Sequence, residues 1–202
     1  VRLADGRAER WQTSDDIAEH AALLRKQVQK GLDDPATRML ASAIVSGNFD
    51  NAVSMRTKTE IPVVPFHGRL YHGARSWEAA AQLCGMRDYR CEVVAIWDFM
   101  VMNLRYTQDQ SGEDTYATLR ANLEAGGGDC DDFTVCFATL LKAVGFDDVV
   151  ARIISLHGDS WDHVYPVVLV PKVGWMALDA TEKGALPGWE FRSYHSKRDF
   201  AL

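Results

Sequence analysis

The segment Asp129-Cys130-Asp131-Asp132, directly after Gly126-Gly127-Gly128, sets a thiol where a chain can use it as a nucleophile. Apolar residues follow at Phe133, Cys136, Phe137, Leu140, Leu141 and Val144, the spacing of one buried helix face, and Gly145 ends the pattern. Counting back, Cys130 falls on that inward face in the first turn, where unpaired backbone N–H groups and the helix dipole favour a thiolate and can hold an oxyanion. The glycines let other backbone or a substrate come close, because no Cβ stands in the way. The chemistry expected is attack of sulfur on a carbonyl carbon. Asp129, Asp131 and Asp132 are good helix-start residues, but their charges disfavour a second anion on Cys130, so a cation must compensate. The same segment also suits a small buried cysteine behind an ordinary acidic helix start, and Cys136, deeper on the stripe, is expected in the core.

A histidine beside the thiol supplies that cation, and an acid beside the histidine fixes its tautomer and orientation. After Gly145 the β-branched stretch 149–156, a polar loop, the stretch 163–170, a turn at 171–174 and the stretch 175–179 predict an antiparallel run packed behind the helix. His163 opens its second strand and Asp179 closes its third, so both can reach the sheet end where the helix delivers Cys130. Register tests this. With 171–174 as the turn, Val170 opposes Trp175 and Asp179 falls on the wrong face for His163. Pro166 marks a bulge or an edge, and one extra residue there would bring Asp179 opposite Tyr165 and diagonal to His163, so the arrangement is expected to need a bulge near Pro166. His163 and Asp179 taken singly also suit a structural histidine and a turn-starting acid. His157, Asp159, Asp162 and His163 offer a metal-binding alternative, but their spacing matches no zinc motif.

Other elements must position these groups. Thr13-Ser-Asp-Asp precedes an apolar series at Ile17, Ala21, Leu24 and Val28, a helix ending near Gly31. A second helix follows Pro35, with Met39, Leu40, Ala43 and Ile44 on its apolar side. Residues 51–72, with Pro62 and Pro65, read as loop with one strand, a linker between a helical arm and the main body. Helical pattern resumes at Ser76, a helix over 91–105 is apolar on most faces, 106–113 is a polar turn, and a helix over 114–124 runs into the glycines.

Composition narrows the function. With 202 residues, 47% hydrophobic and 25% charged, the chain can bury a core without disulfide or metal staples. A formal net charge of −6 repels phosphate backbones, which argues against a nucleic-acid partner. No apolar run approaches the roughly 20 residues of a membrane span, so no membrane role is expected. Residues 1–9 carry charges of both signs and lack the apolar stretch of a secretory leader, although a chain that starts with Val can have lost an upstream segment. Four cysteines (Cys84, Cys91, Cys130, Cys136) are too sparse for a disulfide scaffold, so reduced thiols and a cytoplasmic setting are expected.

The ordered motifs Gly127-Gly128-Asp129-Cys130-Asp131-Asp132-Phe133, Ala151-Arg152-Ile153-Ile154, Asp162-His163-Val164-Tyr165 and Gly174-Trp175-Met176-Ala177-Leu178-Asp179-Ala180-Thr181 resemble the transglutaminase-like superfamily, whose members look like papain in fold. The resemblance covers about residues 93–181. It implies an α+β core with the nucleophile at a helix N-terminus packed on an antiparallel sheet, with Cys130 as nucleophile, His163 as general base and acid, and Asp179 as its orienting partner. The acyl transfer expected needs no cofactor, and no residue is assigned to a metal. Members of the superfamily hydrolyse peptide or other amide bonds, cross-link glutamine to amines, or have lost catalysis. Tyr106 is the candidate for the family's upstream oxyanion donor, since a phenolic O–H can donate; it also suits an aromatic packed at a helix end.

These readings divide the chain into a helical N-terminal extension, 1–75, and a catalytic core, 76–202. The expected function is cysteine-dependent acyl transfer to water or an amine, on a protein or peptide substrate. The alternative is a non-catalytic module of a larger assembly, with the N-terminal helices docking a partner. Arg152, on a strand beside the helix start, is expected to pair with Asp131 and Asp132 and reduce the negative field at Cys130. Loops 155–162 and 51–72 are placed to set specificity, and Trp161, Trp175 and Trp189 suit either a groove lining or packing.

Overall fold

A computed structural model describes residues 17–46, 88–109, 115–157 and 161–202. Its centre is the helix α5, Cys130–Ala143, which the apolar spacing announces, but burial goes further than one face: every residue from Asp131 to Leu141 is buried. Such a helix must be covered all round. Its polar members tolerate this because Thr134 Oγ1 donates to the Cys130 carbonyl (2.8 Å) and Thr139 Oγ1 to the Val135 carbonyl (2.7 Å). Asp129 caps the N-terminus, its carboxylate accepting from the backbone N–H groups of Asp131 and Asp132.

The cover on one side is helical. Helix α1, Ile17–Asp33, and helix α2, Pro35–Ser46, bring Leu24, Val28, Leu40, Ala41 and Ile44 into the same hydrophobic cluster as Phe137, Leu140 and Leu141 of α5. Helix α3, Tyr89–Asn103, adds Val93, Ile96, Trp97 and Met100. Gly31 is a close crossing point, where a Cβ would stand 2.8 Å from Thr139 Cγ2. Met39, assigned to the apolar side of its helix, is instead half-exposed. The expected linker 51–72 and the resumption of helix at Ser76 lie outside the described residues.

Two short pieces join α3 to α5. Strand β1, Arg105–Tyr106, pairs in parallel with strand β2, Gly127–Gly128, where a polar turn and a plain glycine run were expected. Between them helix α4, Leu119–Ala125, is shorter than the 114–124 pattern suggested, because Thr118 takes the cap position and accepts from the Ala121 N–H.

The other side of α5 is an antiparallel sheet of β3 (Val149–Ser155), β4 (His163–Val170), β5 (Gly174–Ala177) and β6 (Ser196–Ala201), in the order β5-β4-β3-β6. Strand alternation sends Val149, Ala151, Ile153, Val164 and Val168 toward α5, and Ile154, Tyr165 and Val167 to the opposite face. From β5 the chain crosses that second face, with Gly188 N–H on the Ala177 carbonyl (2.8 Å) and Phe191 packed on it, and returns as β6 beside β3. The fold is α+β, as the motifs implied.

Among the described residues no helix is long and apolar enough to cross a membrane. Cys91 is disulfide-bonded while Cys130 and Cys136 are free thiols. This corrects the expectation of four reduced cysteines and removes the argument for a reducing compartment that rested on it.

Candidate active site

Cys130 is the first residue of α5, and the backbone N–H groups of Val164 and Asp131 point to its sulfur. The Val164 amide is the peptide unit that follows His163, so the packing of α5 on β4 carries the thiol to the start of the strand that His163 opens. Burial, then the charges of Asp131 and Asp129, push the Cys130 thiol well above its ordinary range, while the two N–H groups oppose that shift. Together these influences favour the thiol over the thiolate. Cys136 is fully buried as expected, its thiol also pushed up by burial, with Asn122 Nδ2 at 3.3 Å.

His163 and Asp179 meet: His163 Nε2 lies 2.7 Å from Asp179 Oδ2. The carboxylate is 1% exposed, and its other oxygen accepts from the Thr181 hydroxyl (2.7 Å) and N–H (3.3 Å). The imidazole is held between Tyr165 and Phe191, both with ring centroids 5.6 Å from its own. With Nε2 committed to Asp179, Nδ1 is the ring nitrogen left for a substrate or a thiol.

The register that allows this needs no bulge. The turn is three residues, 171–173, so Val170 pairs with Gly174, Leu169 with Trp175 and Val167 with Ala177. Lys172 at φ 67° and Gly174 at φ 104° make the tight reversal. Pro166 ends the ladder instead of bulging it: Leu178 N–H donates to the Pro166 carbonyl (2.9 Å), but Pro166 has no N–H to return. The chain is released there, one residue before Asp179.

Tyr106, in register with Gly128, is half-exposed. Burial of its ring, then the charges of Cys130, Asp129, Asp131 and Glu182, push its phenol upward, so it stays an O–H donor within electrostatic reach of the sulfur. Arg152 does not meet Asp131 or Asp132. Its side chain lies on the sheet face away from α5, with Nε on Asp199 Oδ1 (2.8 Å), Nη2 on Asp199 Oδ2 (2.6 Å) and Nη1 on Glu190. The Asp residues it was expected to meet are held elsewhere. Asp131 Oδ1 lies 2.9 Å from His20 Nε2, and Asp132 Oδ1 accepts from Ala117 N–H (2.9 Å) and Asn122 Nδ2 (3.1 Å).

The metal-binding alternative gains nothing: Asp162 Oδ2 accepts from the N–H groups of Leu156 (2.9 Å) and His157 (3.3 Å), Asp159 lies outside the described residues, and no cluster of three metal-ligating side chains occurs among the described ones. Trp161 packs against the main hydrophobic cluster, Trp175 is largely exposed, and Trp189 stacks edge-on to Phe191 at 4.9 Å. Sequence reasoning missed Thr181 and His20. Thr181, two residues after Asp179, has the spacing of a side-chain turn and was findable. His20 lies 111 positions from its partner and carries no local signal.

A model of the transglutaminase-like superfamily matches residues 78–180. The chain belongs to this superfamily. Curated proteins and solved structures yield no match. The matched segment of this transglutaminase-like chain takes in α3, α4, α5 and β3 to β5 and closes just after Asp179. It leaves out α1, α2, Thr181 and β6.

Proposed function

We propose that the protein is a cysteine-dependent acyl-transfer enzyme that cleaves a peptide or amide bond through a thioester on Cys130, with release to water or, in transamidation, to an amine. The observation that carries the reading is the buried His163–Asp179 pair at the strand end whose next amide holds the Cys130 sulfur. His163 Nδ1 takes the thiol proton as the sulfur attacks the carbonyl carbon; because the thiol is favoured over the thiolate, proton transfer accompanies attack. The Cys130 N–H, which the Asp129 cap leaves out, and the Tyr106 O–H stabilise the oxyanion. On collapse the C–N bond breaks and the leaving amine receives the proton from His163. Water or an amine then adds to the thioester, giving its proton to His163, and the sulfur leaves with that proton. Asp179 holds the Nε2–H tautomer throughout, and Thr181 holds Asp179.

Two measurements test this. Iodoacetamide at near-neutral pH should alkylate Cys130 much faster than Cys136, with the rate falling in His163→Ala. An activated acyl ester should leave its acyl group on Cys130, seen by peptide mass and released by hydroxylamine. Equal alkylation of both thiols in folded protein, or acylation elsewhere, overturns the reading.

A further inference from the structure

Asp129, Asp131 and Asp132 crowd the start of α5, and each carboxylate is drawn off in a different way. Asp129 turns onto the N–H groups of its own helix, and Asp132 onto Ala117 and Asn122. Asp131, next to Cys130 and 4% exposed, is the one that meets an imidazole. That imidazole is on α1, outside the segment matched by the superfamily model. His20 Nε2 lies 2.9 Å from Asp131 Oδ1, and His20 Nδ1 lies 2.6 Å from the hydroxyl of Tyr116, itself 2% exposed. The His20 and Tyr116 rings meet edge-on at 5.2 Å.

We infer that His20 is a positioning residue for Cys130: supported by Tyr116, it holds the Asp131 carboxylate toward α1 and keeps its charge off the sulfur. The inference rests on the reading of Cys130 as nucleophile. Either state of the ring serves. As neutral imidazole, Nε2–H donates to Asp131 and Nδ1 accepts from the Tyr116 hydroxyl. As imidazolium, both nitrogens donate and the positive charge offsets the carboxylate directly. The other groups that bear on the site are Asp129 and Asp132 on the helix start, Asp109 beside them, Tyr106 with Glu182 across from it, and His163, the proposed base. Of the charges raising the Cys130 thiol, Asp131 is the larger contributor, so its partner has leverage on thiol reactivity. Helix α1 would then be part of the machinery in addition to covering α5.

The test is a double-mutant cycle on the pH profile of Cys130 alkylation by iodoacetamide, followed by peptide mass in the full chain. His20→Leu should move the midpoint upward and slow alkylation near pH 7 by about 3- to 10-fold, the range that a partly screened charge at this distance produces. Asp131→Asn should move the profile the other way, and in that background His20→Leu should have no further effect. His20→Gln, which keeps a donor to Asp131, should restore most of the rate. Tyr116→Phe removes only a hydroxyl and gives the same test with the packing kept: a smaller upward shift, about 2-fold in rate, absent when Asp131 is Asn. An unmoved midpoint in His20→Leu and Tyr116→Phe, or equal shifts with and without Asp131, overturns the inference. Failure of Cys130 to react faster than Cys136 in the unaltered protein would instead overturn the nucleophile reading.

Discussion

His163 Nε2 and Asp179 Oδ2 stand 2.7 Å apart with the carboxylate almost wholly out of solvent. A carboxylate there accepts, which favours the imidazole tautomer with the proton on Nε2 and leaves a lone pair on Nδ1, the atom that the proposed mechanism uses as base. Asp179→Asn keeps the shape but offers an amide donor, which favours the opposite tautomer. The variant should fold, keep its far-UV circular dichroism, and lose about 10²- to 10⁴-fold in acylation of Cys130 by an activated ester, the range of a lost general base. Acylation at the unaltered rate would show that His163 does not take the proton.

The glycines before Cys130 differ from one another, and substitution should expose this. At Gly127 a Cβ would stand 2.4 Å from the Arg105 carbonyl oxygen, which is backbone and cannot swing aside. At Gly126, φ 73°, there is nothing within 4 Å, and the cost is the left-handed backbone alone. Gly126→Ala should therefore cost about 1 kcal/mol, and Gly127→Ala about 1–3 kcal/mol or more as β1 is forced away from β2. Urea unfolding midpoints compare the two. Only Gly127→Ala should also alter Cys130 alkylation, because β1 carries Tyr106.

The helix behind Cys130 and the strands of His163 and Asp179 were legible because their apolar periods are strong and the segments are contiguous. The register differs by one residue from the expected one: Lys172 and Gly174 at positive φ close a three-residue turn, 171–173, in place of a four-residue turn over 171–174. Pro166 correctly marked the irregular place, though through its missing N–H and without a bulge. Strand β6 was invisible because Lys197, Arg198 and Asp199 make an exposed, charged edge without an apolar alternation. Arg152 was within reach of a better reading, since alternation with Ala151 and Ile153 already places it on the face away from the helix. His20 could come only from three-dimensional packing, because nothing local links it to Asp131.

Arg152 makes a separable prediction. Its guanidinium, 12% exposed, joins β3 to β6 through Asp199 and to the crossing chain through Glu190. Those partners are more than a third exposed, so screening by solvent keeps the contribution small, about 1 kcal/mol. Arg152→Met should lower the urea midpoint modestly and leave the pH profile of Cys130 alkylation in place. A shift of that profile would return Arg152 to the electrostatics of the site.

Stability should also depend on pH through Asp132. Burial, added to by Asp131 and Asp109 and opposed by the Ala117 and Asn122 hydrogen bonds, pushes its carboxyl up to about 7. An unfolded aspartate titrates near about 3.9, so the folded chain holds this proton more tightly. The resulting stabilisation is complete below about pH 4 and is lost as pH rises through about 7. Asp129, raised by burial and by Asp131 and Asp132, acts in the same direction at higher pH. Asp132→Asn never ionises, and its side-chain oxygen can still accept from Ala117 and Asn122. Urea midpoints measured from pH 5 to pH 8 should fall for the unaltered chain and fall less for Asp132→Asn, with the slope due to Asp129 remaining. Parallel profiles would mean that Asp132 is already ionised in the folded protein at pH 5, and that burial at the start of α5 costs its charge far less than this structure implies.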